Sequence, residues 1–227
     1  MKMNPPQMKI YDATIKVPFS LLINGQSNSG KTEFTINLLK KRNQLIDREI
    51  DNICWFFGIE SKSVKQFAKE YGKYMPIRFI KGLPENLEDY IDDAKTNLFI
   101  FDDLMEQATQ SSVISELFTR GSHHRNISVI LIVQDFFYNG NGNSRFRKTI
   151  SRNANLLCLF CNYLDSNSIS TIASRIMPKR VPLFLKIFEK ACNESRYLFI
   201  DGKYDTDKDI RLRTNLFEDY QKVYTLD

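Results

Sequence analysis

The chain has 227 residues, with 32 Lys and Arg against 27 Asp and Glu, a formal charge of +5 and a pI near 8.9. A hydrophobic content of 42% with 26% charged residues excludes a disordered or fibrous protein. No apolar run approaches the ~18 residues of a membrane span. The mild basicity permits a nucleic-acid partner without demanding one. The opening MKMNPPQMKIYDATIKVPFS lacks the apolar stretch of a secretory signal. Four cysteines without a paired spacing framework fit a reducing interior, so a soluble, intracellular, globular protein is expected.

Residues 1–14, with their Pro-Pro pair, read as a surface arm, and residues 15–227 as one domain. Phe19–Asn24 predicts a buried strand, followed by a Gly/Ser loop and a helix from about Lys31 to Arg42. Ile50–Phe57 predicts a second strand, Ser61–Tyr71 an amphipathic Lys-rich stretch, Pro76–Ile80 a short strand and Leu83–Ala94 a helix with an acidic outer face. Asn97–Phe101, Ile127–Val133 and Asn155–Phe160 are further continuous apolar runs, with a helix at about Ser112–Arg120 between the first two. Tyr138–Ser144 reads as a flexible loop, Ser166–Arg175 and Pro182–Ala191 as helices, and Arg196–Ile200 as a last strand. Strands that are apolar throughout are covered on both faces, and their alternation with helices predicts an α/β fold around a central, mainly parallel sheet.

The most informative segment is Gly25-Gln26-Ser27-Asn28-Ser29-Gly30-Lys31-Thr32, a full G-x-x-x-x-G-K-[ST] match between a buried strand and a helix. The glycines permit a tight turn whose backbone N–H groups point at phosphate oxygens, and the helix starting there aims its positive end at the same group. Lys31 is the candidate charge for the β- and γ-phosphates, and Thr32 a hydroxyl ligand for Mg²⁺. The strand at Leu98–Phe101 runs into Asp102 and Asp103. Such a pair fits a metal-holding carboxylate, Asp102, followed by a carboxylate that polarises the attacking water, Asp103. The next apolar strand ends at Gln134, an amide placed to sense the γ-phosphate or orient water; a plain strand-end cap is the alternative. A nucleoside triphosphate with Mg²⁺ is therefore the expected ligand.

Taken in order, GQSNSGKT, LFIFDDL, TRGSHHRNISVILIVQ, RKTISRNANLLCLF and YLFID…RLRTN resemble the FtsK–HerA superfamily. Within it they are most similar to the poxvirus-type genome-packaging ATPases of large DNA viruses, virophages and Polinton-like elements. The likeness runs from about Ser20 to Asn215, with Thr119–Gln134 its most specific part and Arg211–Asn215 the next. It implies a RecA/FtsK-like P-loop NTPase of the additional-strand type that binds ATP and Mg²⁺ and moves double-stranded DNA without sequence preference. It also implies a pentameric or hexameric ring at a capsid vertex, no membrane, and a place in the nucleus or cytoplasmic factory of an infected host. In such a ring a neighbour's arginine acts in trans, for which Arg125, Arg120, Arg152 and Arg147 are the candidates in that order. Where relatives often carry a basic or proline-containing turn after the Asn155–Phe160 strand, this chain has Cys161-Asn-Tyr-Leu-Asp.

Other residues carry plainer readings. His123 and His124 are adjacent and too few for a zinc site, so a structural or subunit-contact role is expected. Cys158 and Cys161 point to opposite faces of an extended strand, and buried free thiols are expected of them, with no second pair from Cys54 and Cys192. Lys62, Lys65, Lys69, Lys73, Arg78 and Lys81 fit a solvated face. Arg145, Arg147, Lys148 and Arg152, with Tyr138 and Phe146, fit a basic loop contacting a DNA backbone. Two rivals to a packaging motor are a small-molecule kinase, which needs no water-activating carboxylate, and an assembly factor switched by nucleotide without much hydrolysis. Another DNA translocase or helicase-like ATPase is the third.

Overall fold

The computed structural model describes residues 13–104, 107, 111–121, 126–134, 145–162 and 166–225. Among them one sheet holds nine strands: β1 Ser20–Asn24, β2 Asn52–Phe57, β3 Ile77–Lys81, β4 Asn97–Asp102, β5 Ile127–Val133, β6 Leu156–Phe160, β7 Tyr197–Asp201, β8 Leu212–Thr214 and β9 Lys222–Val223. Their order is β3-β2-β4-β5-β1-β6-β7-β8-β9. The first six in that order are parallel, and β7, β8 and β9 extend the sheet antiparallel. The expected α/β architecture with a mainly parallel sheet is thus present.

Alternation along the buried strands divides the core. Leu21, Ile23, Trp55, Ile100 and Ile132 face one layer with α1 (Lys31–Lys40), α2 (Arg42–Leu45) and α3 (Lys62–Tyr71). Leu22, Phe56, Phe101, Leu131 and Val133 face the other, with α4 (Ser112–Glu116), its continuing turn Leu117–Gly121, and α5 (Arg145–Asn153). A third cluster packs α6 (Ser166–Ile176) and α7 (Val181–Ser195) on Leu159, Leu198 and Ile200. The Lys-rich stretch is a helix as its pattern predicts: Ser61 Oγ accepts from Val64 N at 3.2 Å, and Val64 and Phe67 carry its buried stripe.

Several expectations need correction. Leu83–Ala94 is not a helix but a single 3₁₀ turn at Leu87–Tyr90, capped by Asn86 on Glu88 N at 3.2 Å. The Asn97 side chain holds the rest of that segment, donating to Asp92 O and Lys95 O at 2.9 Å each and accepting from Asp92 N at 3.1 Å. These local bonds compete with a helical ladder. Arg145–Asn153 is a helix, not a loop, and Ala154 N donates to Ile150 O beyond its end. Cys161 and Cys192 are joined in a disulfide, contrary to the free thiols expected; only Cys54 and Cys158 are free. Phe160 of β6 pairs with Tyr197 of β7, so the residue after β6 lies beside the end of the helix that precedes β7. That proximity comes from topology and not from spacing along the chain. The Tyr138–Ser144 loop, His123, His124 and Arg125 lie outside the described residues.

The Arg211–Asn215 segment has a packing role. Arg213 is buried, pairs with Asp201 at 3.2 Å, lies over the Phe199 ring and also donates to Ala13 O and Gln221 Oε1. Ile15 bridges to Ile46, which ties the first described residues to α2.

Candidate functional site

β1 delivers its chain directly into the Gly25–Thr32 loop, and α1 starts at Lys31 from a left-handed Gly30 with φ of 105°. The loop is pressed onto β6: a Cβ on Gly25 would lie 2.5 Å from Phe160 Cβ, a separation no side chain tolerates. Gln26 Nε2 donates to Asn162 Oδ1 at 2.5 Å, fixing the loop to the residues after β6. Lys31 folds back, its ammonium donating to Gly25 O and Gln26 O at 2.7 Å each. Burial holds that ammonium below the usual lysine range, partly offset by Asp102 and Asp103.

Parallel pairing of β4, β5 and β1 brings their carboxyl ends side by side, with Asp102 opposite Ile132 and Asn24 opposite Val133. A cavity of about 510 Å³ opens there, lined by Ser27, Lys31, Thr32, Asp102, Asp103 and Gln134 among others. Thr32 Oγ1 donates to Asp102 Oδ2 at 3.2 Å, and Ser27 Oγ to Gln134 Oε1 at 3.0 Å. Asp102 is buried, and that burial pushes its carboxyl up to about 6 against the Thr32 hydrogen bond and the Lys31 charge. The buried indole N–H of Trp55, on the same sheet face, acts on Asp102 in the same direction as Thr32, lowering that carboxyl. Asp103 is exposed and sits in the left-handed region with φ of 54°, so the chain turns sharply as β4 ends.

A hydroxyl and a buried carboxylate converging beside a lysine are hard oxygen donors with too little positive charge nearby. Thr32 and Asp102 therefore fit Mg²⁺. The structure brings Ser27, Asn28, Lys31 and Thr32 of the phosphate loop together with Asp102, Asp103 and Gln134, while Gln26 and Ser29 line a second cavity on the other side of the loop. It does not bring Arg152, which lines a separate cavity with Asn155, Arg175 and Asp201 at the opposite edge of the sheet. Arg120 and Arg147 are described in backbone only, on the turn after α4 and on α5. Sequence reasoning passed over Ile59 and Ser61, which also line the phosphate-side cavity; their position just past the carboxyl end of β2 is the one signal for them.

The strand, glycine loop, helix and carboxylate pair on a mainly parallel sheet define a P-loop NTPase. The chain belongs to the family described as Poxvirus A32 protein, whose model matches residues 8–202, and that family is one of genome-packaging ATPases. Among solved structures, the assembled ATPase EscN from the enteropathogenic E. coli type III secretion system is 12% identical with a TM-score of 0.43. That alignment covers 78% of this chain and 52% of the EscN chain, so the chain spans about half of EscN's length. No curated protein matches the chain.

Proposed function

We propose that the chain hydrolyses ATP to drive double-stranded DNA into a capsid, as a motor of its family. The observation that carries this is the single cavity shared by Lys31, Thr32, Asp102, Asp103 and Gln134 at the carboxyl ends of β1, β4 and β5. Backbone N–H groups of Gly25–Thr32 and the Lys31 ammonium hold the phosphates, once Lys31 exchanges the loop carbonyls for phosphate oxygens. Thr32 and Asp102 would hold Mg²⁺, which supplies charge neutralisation across the phosphates. Asp103 takes the proton of the attacking water, and Gln134, anchored to the loop through Ser27, aligns that water with the γ-phosphate. Positioning and charge stabilisation provide most of the rate, because phosphoryl transfer asks for little else from the protein.

Family membership supports double-stranded DNA, capsid vertex proteins and a homo-oligomeric ring as partners, and an infected cell as the place of action. A neighbouring subunit would supply the arginine, with Arg125 and Arg120 the first candidates. The test is steady-state ATPase activity with and without double-stranded DNA across protein concentration. Rates that rise with DNA and more than linearly with protein support a ring motor. A DNA-indifferent rate strictly linear in protein contradicts it and returns a kinase or a nucleotide-switched assembly factor to the front.

A further inference from the structure

At the edge of the sheet away from the phosphate loop, where the parallel strands begin, two surface features lie at opposite sides. One is a cavity of about 430 Å³ where β6 starts beside the end of β7. Leu157, Ile172, Ile176, Ile200 and Leu212 give it an apolar lining, and Arg152, Arg175 and Arg211 add three guanidinium groups. Arg152 and Arg175 are exposed near the carboxyl ends of α5 and α6. Arg175 donates to Ser151 Oγ at 3.2 Å and Arg211 to Thr206 O at 3.1 Å. None of the three arginines pairs with a carboxylate among the described residues, and the cavity's own carboxylate, Asp201, is committed to Arg213. The other feature lies where β2 and β3 begin. Tyr74, in the turn from α3 to β3, is 84% exposed. The next residue, Met75, lines a surface cleft where Asp51, Asp89, Asp92 and Asp93 outnumber the cations Arg78 and Lys95. Lys95 pairs with Asp92, and Arg78 lies over the Tyr90 ring.

We propose that these two surfaces are the halves of a head-to-tail contact between copies of this chain, with Tyr74 of one copy seated in the arginine-rimmed cavity of the next; this rests on the ring reading above. The sheet holds them on the order of 20–25 Å apart, at ~4.8 Å per strand, so they cannot meet within one chain. They stand at the same edge of the sheet and at opposite sides of it, the placement that a repeated heterologous contact needs to close a ring. Their chemistry is complementary. The phenol ring covers the apolar lining, the guanidinium groups lie against its face, and the carboxylates that accompany Tyr74 meet the arginines that lack one. Exposed tyrosine is also the residue type that anchors interfaces most often, together with tryptophan and arginine. A nucleic-acid backbone would satisfy the arginines and leave the apolar lining uncovered, so the cavity suits a protein partner better than DNA.

The experiment is sedimentation velocity of the full chain across protein concentration, with ATP and Mg²⁺, on wild type, Tyr74→Ser, Arg175→Glu and an equimolar mixture of the two variants. Both positions are exposed, so both variants keep the fold. Wild type should form species larger than a dimer, and each variant alone should associate about tenfold or more weakly. The mixture should recover association and stop at the dimer. Tyr74→Ser retains an intact cavity and Arg175→Glu an intact Tyr74, so one pair of copies makes one whole contact and has no second. Wild-type assembly by either variant, a mixture that stays monomeric, or a monomeric wild type would overturn the proposal. So would loss of double-stranded DNA binding by Arg175→Glu with assembly unchanged, which would assign the cavity to a phosphate backbone. Assembly of wild type and both variants alike leaves the ring reading standing while this contact fails, whereas a monomeric wild type removes both. ATP hydrolysis by the same preparations judges the ATPase reading separately.

Discussion

Gly58 and Asp103 stand backbone to backbone: a Cβ on Gly58 would lie 2.3 Å from the Asp103 carbonyl oxygen, while Gly58 N donates to Asp102 O at 3.0 Å. The residue that follows β2 thus sets the path of the chain through the carboxylate pair. Gly58→Ala should displace Asp103 by a fraction of an ångström to an ångström. Hydrolysis is expected to fall about tenfold to a hundredfold, with nucleotide affinity changed by less than about threefold. Steady-state kinetics beside nucleotide titration separates the two, and an equal loss in both would contradict this positioning role.

The Asp201–Arg213 pair is an ion pair withdrawn from water, with side chains 5% and 1% exposed. Arg213→Ala leaves the buried Asp201 without its ion-pair partner, held by Thr206 Oγ1 and Lys203 N on its other oxygen, and should cost about 3 kcal/mol in urea unfolding. A loss below about 1 kcal/mol would show that the pair is dispensable.

How much of this was legible in the sequence depends on the range of the interactions involved. The strand–loop–helix around Gly25–Thr32 is local and declares itself through spacing. Asp102, Asp103 and Gln134 are legible because each ends an apolar run, and parallel pairing then gathers such ends at one edge. The helix expected at Leu83–Ala94 failed because its helical charge pattern is overridden by bonds from Asn97, outside the segment. β8 and β9 are three and two residues long, too short for any periodicity to show. The Cys161–Cys192 bridge was hidden by a sequence separation of 31, which only the β6–β7 pairing closes.

That bridge closes a loop large enough to constrain the unfolded chain. Cys192→Ser should lower stability by about 3–4 kcal/mol under non-reducing conditions, from loop-closure entropy. Peptide mapping without reductant should recover Cys161 linked to Cys192. Identical unfolding curves for the variant and the oxidised wild type would contradict the bridge.

Asp102 carries a pH signature in metal-free protein. Burial pushes its carboxyl up to about 6 from the ordinary aspartate value of 3.8, so the folded state binds the extra proton between those values. Stability should therefore fall as pH rises from about 4 to about 6, by up to about 3 kcal/mol. Asp102→Asn should flatten that segment of the profile. Urea unfolding in the presence of a chelator measures it, and a wild-type profile that rises across the same window would give the wrong sign.

The most direct measurement is single-turnover ATP hydrolysis by Asp103→Asn beside wild type, with nucleotide binding measured on the same preparations. If Asp103 takes the proton from water, the variant should bind ATP within about threefold of wild type yet hydrolyse it about a hundredfold to ten-thousandfold more slowly. Hydrolysis at the wild-type rate by the folded variant would contradict the account.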